Sequence, residues 1–190
     1  TFFDTGFFDE FKEYRKAFAA YVQSLGIKRL VIVCPHCGYE LPQTLEGCYI
    51  ELVRLPELMA EAGVKIPGTG TYSMHDACYD RLDGAYGKAV REMFSNRTLV
   101  PLAHEGEHTI CCGGGGMVSA YAPAFCEYRR NQRLAEIDAV NSDVLISTCF
   151  SCVNSMQRGQ SAKPVRHYLE LIFDVDIDWP EVYGSVNKMY

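Results

Sequence analysis

Apolar positions recur at helical spacing from Phe7 to Leu25, at Phe7, Phe11, Tyr14, Phe18, Tyr21, Val22 and Leu25, and predict a first helix closed by Gly26. The pattern then changes to a continuous β-favouring run, Arg29 to Val33, which leads directly into Cys34-Pro-His-Cys37. Helical patterning returns over Leu52 to Ala62, stopped by Gly63. A short strand is expected over Thr69 to Met74, running into His75-Asp-Ala-Cys78, and a helix over Gly87 to Ser95. Thr98 to Leu102 reads as a strand, and His108 to Ile110 leads into Cys111-Cys112 and four glycines, Gly113 to Gly116. A long helix follows from Pro123 to Val140. Asp143 to Thr148 is a buried-strand pattern ending in Cys149-Phe-Ser-Cys152, and the chain closes with a helix over Val165 to Phe173 and a polar, aromatic tail. Helices alternating with short apolar strands predict an α/β, Rossmann-like architecture, with parallel sheets and flanking helices.

One unit is written twice. Glu13-Tyr-Arg-Lys16 opens a helix that leads through Leu30 to Val33 and on to Cys34-x-x-Cys37. Glu127-Tyr-Arg-Arg130 opens one that leads through Val144 to Ser147 and on to Cys149-x-x-Cys152. Glu and first Cys lie 21 positions apart in one copy and 22 in the other, which favours duplication over two unrelated α/β units.

Composition narrows the function. At 48% hydrophobic over 190 residues, the chain can bury a core of its own. With 18 basic against 24 acidic residues it lacks the clustered positive charge of a nucleic-acid surface. No apolar run approaches the ~20 residues that span a bilayer. No signal peptide is visible and the first residue is not Met, so a fragment or processed product is expected. Nine cysteines is an odd number and falls short of the ~8–10% typical of a disulfide scaffold. Metal or redox use of the thiols, in a reducing compartment such as the cytoplasm, is the better reading.

Five thiols form a set: Cys78, then 32 residues, Cys111-Cys112, then 36 residues, Cys149-x-x-Cys152. Each group is placed at the C-terminal end of a predicted strand, and in an open parallel sheet those ends share the ligand-binding rim. Several thiolates meeting at one point need a soft cation between them, because otherwise they repel and are protonated or oxidised. The glycines after Cys112 allow close backbone approach, and their N–H groups can face a negatively charged centre. No Gly-Lys-Ser/Thr phosphate loop is present, and the dinucleotide fingerprint fails at Val118.

The order Cys78, Cys111-Cys112-Gly113, Cys149-x-x-Cys152, with the His75-Asp-x-Cys78 lead-in, resembles the CCG (cysteine-rich) domain over residues 72–152. That domain occurs in the B subunit of heterodisulfide reductases and in iron–sulfur subunits of glycolate, lactate and glycerol-3-phosphate oxidation and of sulfur metabolism. The resemblance implies an oxidoreductase subunit in which Cys78, Cys111, Cys112, Cys149 and Cys152 hold a [4Fe-4S] cluster, non-cubane in the best-understood members. Gly113 and Gly114 would form the cluster loop, with His75 and Asp76 behind the ligands, orienting the cluster or shuttling a proton. It also implies two pseudo-repeated CCG units. Residues 1–66 would be the end of a first, incomplete unit plus its connection, and 67–190 a complete second one with its tail. Cys34 and Cys37 would then belong to a second, incomplete site whose remaining cysteines lie upstream or on another chain. Implied partners are other subunits of a redox complex: a flavoprotein, a ferredoxin-like chain or a membrane quinone subunit. A disulfide substrate is also implied, as is a place in the cytoplasm or against its membrane face.

Two other readings compete. Zinc could replace iron in a structural role, although 111 residues separate Cys37 from Cys149, far more than a zinc ribbon uses. Cys34-Pro-His-Cys37 alone resembles the redox motif of thioredoxin-fold oxidases, but the surrounding order of elements does not. Cys126 is expected in the core, and Cys48 as a structural residue or a third ligand of the incomplete site. His36 is expected at an exposed turn, and His104 and His108 in a loop.

Overall fold

The computed structural model describes residue 3, residues 5–94, residues 99–186 and residue 188. The predicted helix end at Ser95 and strand start at Thr98 lie outside the described residues. All strand pairings are parallel. One sheet has two strands, β1 (Arg29–Ile32) and β2 (Glu51–Arg54), with Arg29 opposite Glu51. The other has three, β3 (Tyr72–His75), β4 (Val144–Ser147) and β5 (Val165–His167), with β4 in the centre. The register sets His75, Ser147 and His167 side by side at the strand ends. Helices flank both sheets, as the α/β pattern predicted.

The first helix, α1 (Phe8–Ser24), lies where expected, but of its residues only Val22 is buried. A second helix, α2 (Pro35–Thr44), starts at the first Cys-x-x-Cys and was not anticipated. Pro35 in its first turn costs no hydrogen bond there, and the interior Pro42 hid it. The helix expected over Leu52 to Ala62 is instead β2 followed by α3 (Leu55–Glu61). Glu51 to Arg54 join β1 through backbone bonds, and Pro56 occupies the first turn of α3, where it is tolerated. Strand β3 is shifted towards the C-terminus because Gly68 and Gly70 hold positive φ just before it. Helix α4 (Ala85–Met93) begins ahead of Gly87, behind Gly84 in the left-handed region. The strand predicted up to Leu102 reduces to one isolated bridge between Leu99 and Tyr72. A short α5 (Val118–Tyr121) precedes α6 (Pro123–Asp138). Helix α7 (Phe150–Gln157) starts at the second Cys-x-x-Cys, and was likewise not anticipated. The closing helix splits: Val165–His167 pair with β4 as a strand, and only α8 (Tyr168–Phe173) is helical. The tail adds α9 (Trp179–Val186).

Alternate residues of β4 serve two cores. Leu145 packs with Leu134, Ile137, Val153, Met156 and Val165, in the layer of α6 and α7. Ile146 packs on the other face with Met74, Val90, Met93, Phe94 and Tyr168. Cys112, Cys149 and Cys152 belong to the first of these layers. The thiols are therefore built into the core beside the sheet.

Ile146 is fully buried on the central strand. Ile146→Ala is expected to cost about 2–5 kcal/mol through lost contact and a residual cavity, read as a lower denaturant midpoint.

Candidate metal and redox centre

Both Cys-x-x-Cys motifs adopt the same local structure. Cys34 and Cys149 are the N-cap residues of α2 and α7, with extended backbone at φ −92° and −126°. Cys37 and Cys152 then fall three positions on, in the first helical turn. A helix N-terminus carries uncommitted N–H groups and partial positive charge, so sulfur placed there is favoured as thiolate. Each N-cap cysteine follows a parallel strand, β1 or β4, across a one-residue link.

Cys78 opens a 3₁₀ turn, Cys78–Asp80, beyond β3. Cys111 and Cys112 follow an irregular loop and a 3₁₀ turn at Gly106–His108, where a strand end was expected. Asp76 ties this loop to β3. Its carboxylate takes two bonds from Arg91, at 2.7 and 2.9 Å, and one from the Gly106 N–H at 2.7 Å. The Thr109 hydroxyl donates to the Asp76 carbonyl at 2.8 Å. From the other side, the Ser155 hydroxyl on α7 donates to the Cys112 carbonyl at 2.8 Å. The Ser147 hydroxyl accepts from the Cys149 N–H and donates to the His75 carbonyl, joining two strand ends.

These supports assemble a continuous run of seven sulfurs. Cys37 interacts with Cys34, Cys34 with Cys149, Cys149 with Cys152, and Cys152 with Cys112, each altering the other's acidity. Cys112 interacts likewise with Cys111, and Cys111 with Cys78. The Cys112 and Cys152 sulfurs are 3.2 Å apart. The five thiols of the predicted set are thus linked pairwise along one run, and Cys34 interacts with Cys149.

Their acidities show the strain of packing thiols together. Cys34 is pulled down to about 2, first by its contacts with Cys149 and Cys37 and further by the His36 and Cys37 amides. Cys111 is pulled down to about 2 by Cys112 and Cys78, with the Gly113 N–H donating to its sulfur at 3.3 Å. Cys37 and Cys78 are pushed up by those thiolate neighbours and by burial, and Cys112 is raised to about 12 mainly by Cys111. Cys152 is raised by Cys112, Cys149 and complete burial. Left to themselves, such thiols ionise only at intervals along the run. Ionising all of them needs positive charge in their midst.

The surroundings fit a soft metal centre. One ring nitrogen of His75 and the sulfurs of Cys112 and Cys152 lie within 4.8 Å of one another. His75 is fully buried and its Nε2 has no hydrogen-bond partner. Burial first, and then the neighbouring Arg133 cation, push its pKa down to about 3. Gly113 has a φ of +77°, and a side chain there would strike the Cys126 carbonyl. At Gly114 a Cβ would come within 2.7 Å of Ser155. The loop is thus held close to α6 and α7.

The remaining candidates sit elsewhere or do other work. Cys126 is buried on α6, as expected, and Cys48 is half-buried. His36 lies within α2, where it stacks on Tyr79 at 4.0 Å, so the expected exposed turn is a helix. His104 Nδ1 pairs with Glu136 at 3.3 Å, and His108 Nε2 with the exposed Glu107 at 3.3 Å. A groove of about 1020 Å³ is lined by Pro123, Cys126, Arg130, Arg158 and Asp176, away from the seven thiols. The sequence reading missed Arg133, a fully buried cation on α6 that bonds His75, the His104 carbonyl and Glu136. Its signal was present: Arg133 falls seven positions after Cys126 and four before Ile137, on the inward stripe of the helix.

Fold and site together define an α/β protein with a thiol-rich centre at the C-terminal rim of parallel strands. Residues 72–157 match the CCG family, described as a cysteine-rich domain, and the chain carries that domain. It is 29% identical over 141 residues to Lactate utilization protein A of Geobacillus thermodenitrificans, covering 70% of this chain. The chain spans about half, 54%, of that relative's length. Among solved structures, glutamate racemase RacE1 of Bacillus anthracis matches 95% of this chain and 66% of its own at 14% identity and a TM-score of 0.48. An arylmalonate decarboxylase mutant matches 87% and 71% at 12% identity and a TM-score of 0.33. Neither likeness is close enough to carry an argument about the site.

Two predictions follow from the supporting shell. Gly113→Ala is expected to destabilise the chain by about 1–3 kcal/mol or more, since it meets both a positive φ and a backbone clash, and to lower the thermal midpoint. Glu136 loses solvent on folding, which alone would raise its pKa. The His104 N–H and the Arg133 cation outweigh this and hold it below the usual value. A depressed carboxylate stabilises the fold above its unfolded pKa and loses that effect as pH falls through its folded value. Glu136→Gln is therefore expected to lower the urea midpoint at neutral pH, with the difference from wild type shrinking below about pH 4.

Proposed function

We propose that the chain is an iron–sulfur subunit of an oxidoreductase, in which Cys78, Cys111, Cys112, Cys149 and Cys152 hold a [4Fe-4S] cluster of non-cubane type. The observation that carries this reading is the 3.2 Å approach of the Cys112 and Cys152 sulfurs, from groups far apart in sequence, with Cys111, Cys78 and Cys149 interacting with them in one run. Five thiolates exceed what tetrahedral zinc accepts, and that favours an iron–sulfur group over the structural zinc alternative. When bound, such a cluster supplies one-electron transfer. The protein's part is to exclude water through burial of Cys112, Cys149 and Cys152, and to balance charge with the helix N-terminus at α7 and the buried Arg133. Gly113 and Gly114 bring backbone N–H groups against the sulfurs.

In this reading residues 67–190 form the complete CCG unit, and residues 1–66 the end of another. Cys34 and Cys37 belong to that other unit, and their contact with Cys149 offers a short route for electrons between the two. The same contact makes a free-standing CPHC thiol–disulfide oxidoreductase less apt. Partners would be a flavoprotein, ferredoxin-like or membrane quinone subunit. Similarity to a lactate utilization protein favours oxidation of a 2-hydroxy acid as the source of electrons, with disulfide reduction as a further outlet. Among the described residues no helix is long and apolar enough to cross a membrane. A cytoplasmic location suits thiols that must stay reduced.

The test is anaerobic purification or reconstitution, followed by iron, acid-labile sulfide and zinc quantitation with EPR. Iron and sulfide together are expected, with most of both lost in Cys112→Ser and in Cys152→Ser but retained in Cys126→Ala. Zinc without sulfide in the wild type would overturn the proposal.

A further inference from the structure

Among the described residues, His75 is the one non-sulfur side chain grouped with buried thiols as a candidate ligand, and its chemistry depends on which ring nitrogen carries the proton. Its neighbour decides that. Arg133 is buried completely, and its Nε–H donates to His75 Nδ1 at 3.0 Å. A guanidinium only donates, and it stays charged throughout the accessible pH range. His75 Nδ1 must therefore offer a lone pair. A neutral imidazole with a lone pair at Nδ1 carries its hydrogen at Nε2. That nitrogen is buried and has no hydrogen-bond partner, while the Cys112 and Cys152 sulfurs lie within 4.8 Å of one nitrogen of the ring.

Arg133 is itself fixed from other directions. Its Nη1 donates to the His104 carbonyl at 2.9 Å and to Glu136 at 2.8 Å. Glu136 in turn accepts the His104 N–H at 2.8 Å. The guanidinium cannot easily turn away from the histidine. His75 is equally fixed, at the last position of β3 and opposite Ser147. It shares the sheet face of Ser73 and Leu145, which is the face that carries Cys112, Cys149 and Cys152.

We propose that Arg133 is a positioning residue that holds His75 as the Nε2–H tautomer, so that the ring is not a metal ligand and its unpartnered N–H would serve as donor to a group held by Cys112 and Cys152. For His75 to bind a metal through Nε2, its hydrogen would have to move to Nδ1. There it would face the Arg133 N–H, donor against donor, beside a fixed positive charge. With a bound centre as acceptor, the N–H would instead stabilise charge on sulfur, which favours the more reduced, more negative state of a thiolate-ligated centre. The effect on potential rests on the iron–sulfur reading above, while the tautomer does not.

The tautomer can be read on the full metal-free chain, kept reduced and labelled with ¹⁵N-histidine, by two-bond ¹H–¹⁵N correlation. Only five histidines are present, so His75 can be assigned by its loss in His75→Phe or His75→Gln. The expected wild-type pattern is a neutral ring with hydrogen on Nε2. Arg133→Met should populate the Nδ1–H form, and Arg133→Gln, which keeps an N–H donor without the charge, should restore Nε2–H. A wild-type ring with hydrogen on Nδ1, or on both nitrogens at neutral pH, overturns the proposal without any variant having to fold. An unchanged Nε2–H ring in Arg133→Met removes the role given to Arg133. In the iron-loaded protein, His75→Phe should keep the wild-type iron content and show a lower midpoint potential. Loss of iron matching that of Cys152→Ser would make His75 a ligand and overturn the proposal. Failure of the wild type to take up iron would count against the iron–sulfur reading alone.

Discussion

Mutual repulsion among thiolates is the constraint around which the molecule is arranged. Seven sulfurs interact pairwise in one run, and without a cation Cys34 and Cys111 are held down in acidity while each of their neighbours is pushed up. A fold that keeps them together must oppose their separation by other means. The means are apolar burial around Cys112, Cys149 and Cys152, and polar ties at each approach: Asp76 to the Gly106 loop, Ser155 to Cys112, Ser147 to Cys149. The site is thus held by its surroundings before any metal contributes, which is what preorganisation requires of a centre that changes charge in use.

Parallel topology explains how distant segments reach one point. Every strand ends at the same edge of its sheet, so β3 and β4 bring Cys78 and Cys149 to a common rim although 70 residues lie between the two cysteines. Cys111 and Cys112 come from no strand. They arrive on a loop that Asp76 anchors to the end of β3, so the acidic residue in the His-Asp-x-Cys lead-in acts chiefly as a tether. Its pKa lies below the usual value although burial alone would raise it, because Arg91 and the Gly106 N–H outweigh that cost.

What the sequence made legible was the chemistry and the alternation of elements. The β4 pattern, the long α6 helix and the three cysteine groups are local signals of period and spacing, and the structure has all of them. The losses occurred where tertiary pairing overrides local pattern. Leu52 to Arg54 and Val165 to His167 fit a helical stripe, yet each is claimed by a neighbouring strand through backbone bonds that no local window records. The helices that start at Cys34 and Cys149 were hidden because an N-cap cysteine is an unusual capping residue, although the fixed three-residue step of Cys-x-x-Cys matches N-cap to N3. In α1 the reverse error arose: Phe7, Tyr14, Tyr21 and Leu25 repeat at helical spacing but stay exposed, so periodicity alone did not identify the buried face.

Arg133 shows why the second layer of a site is harder to read than the first. A cysteine announces its chemistry by type, while a buried arginine resembles the surface arginines on either side of it until its position on the apolar stripe is noticed. Desolvating a guanidinium is costly unless its donors are used. Here it bonds a histidine, a carbonyl and a carboxylate, while Nη2 stays unpartnered. Removing Arg133 would leave Glu136 without its cation and His75 without its donor. The cation also lies near enough to Cys112 for their charges to interact. One side chain thus supplies charge, orientation and tautomer choice to a centre it does not touch. Its burial is therefore better explained by the needs of the thiols than by the stability of the helix that carries it.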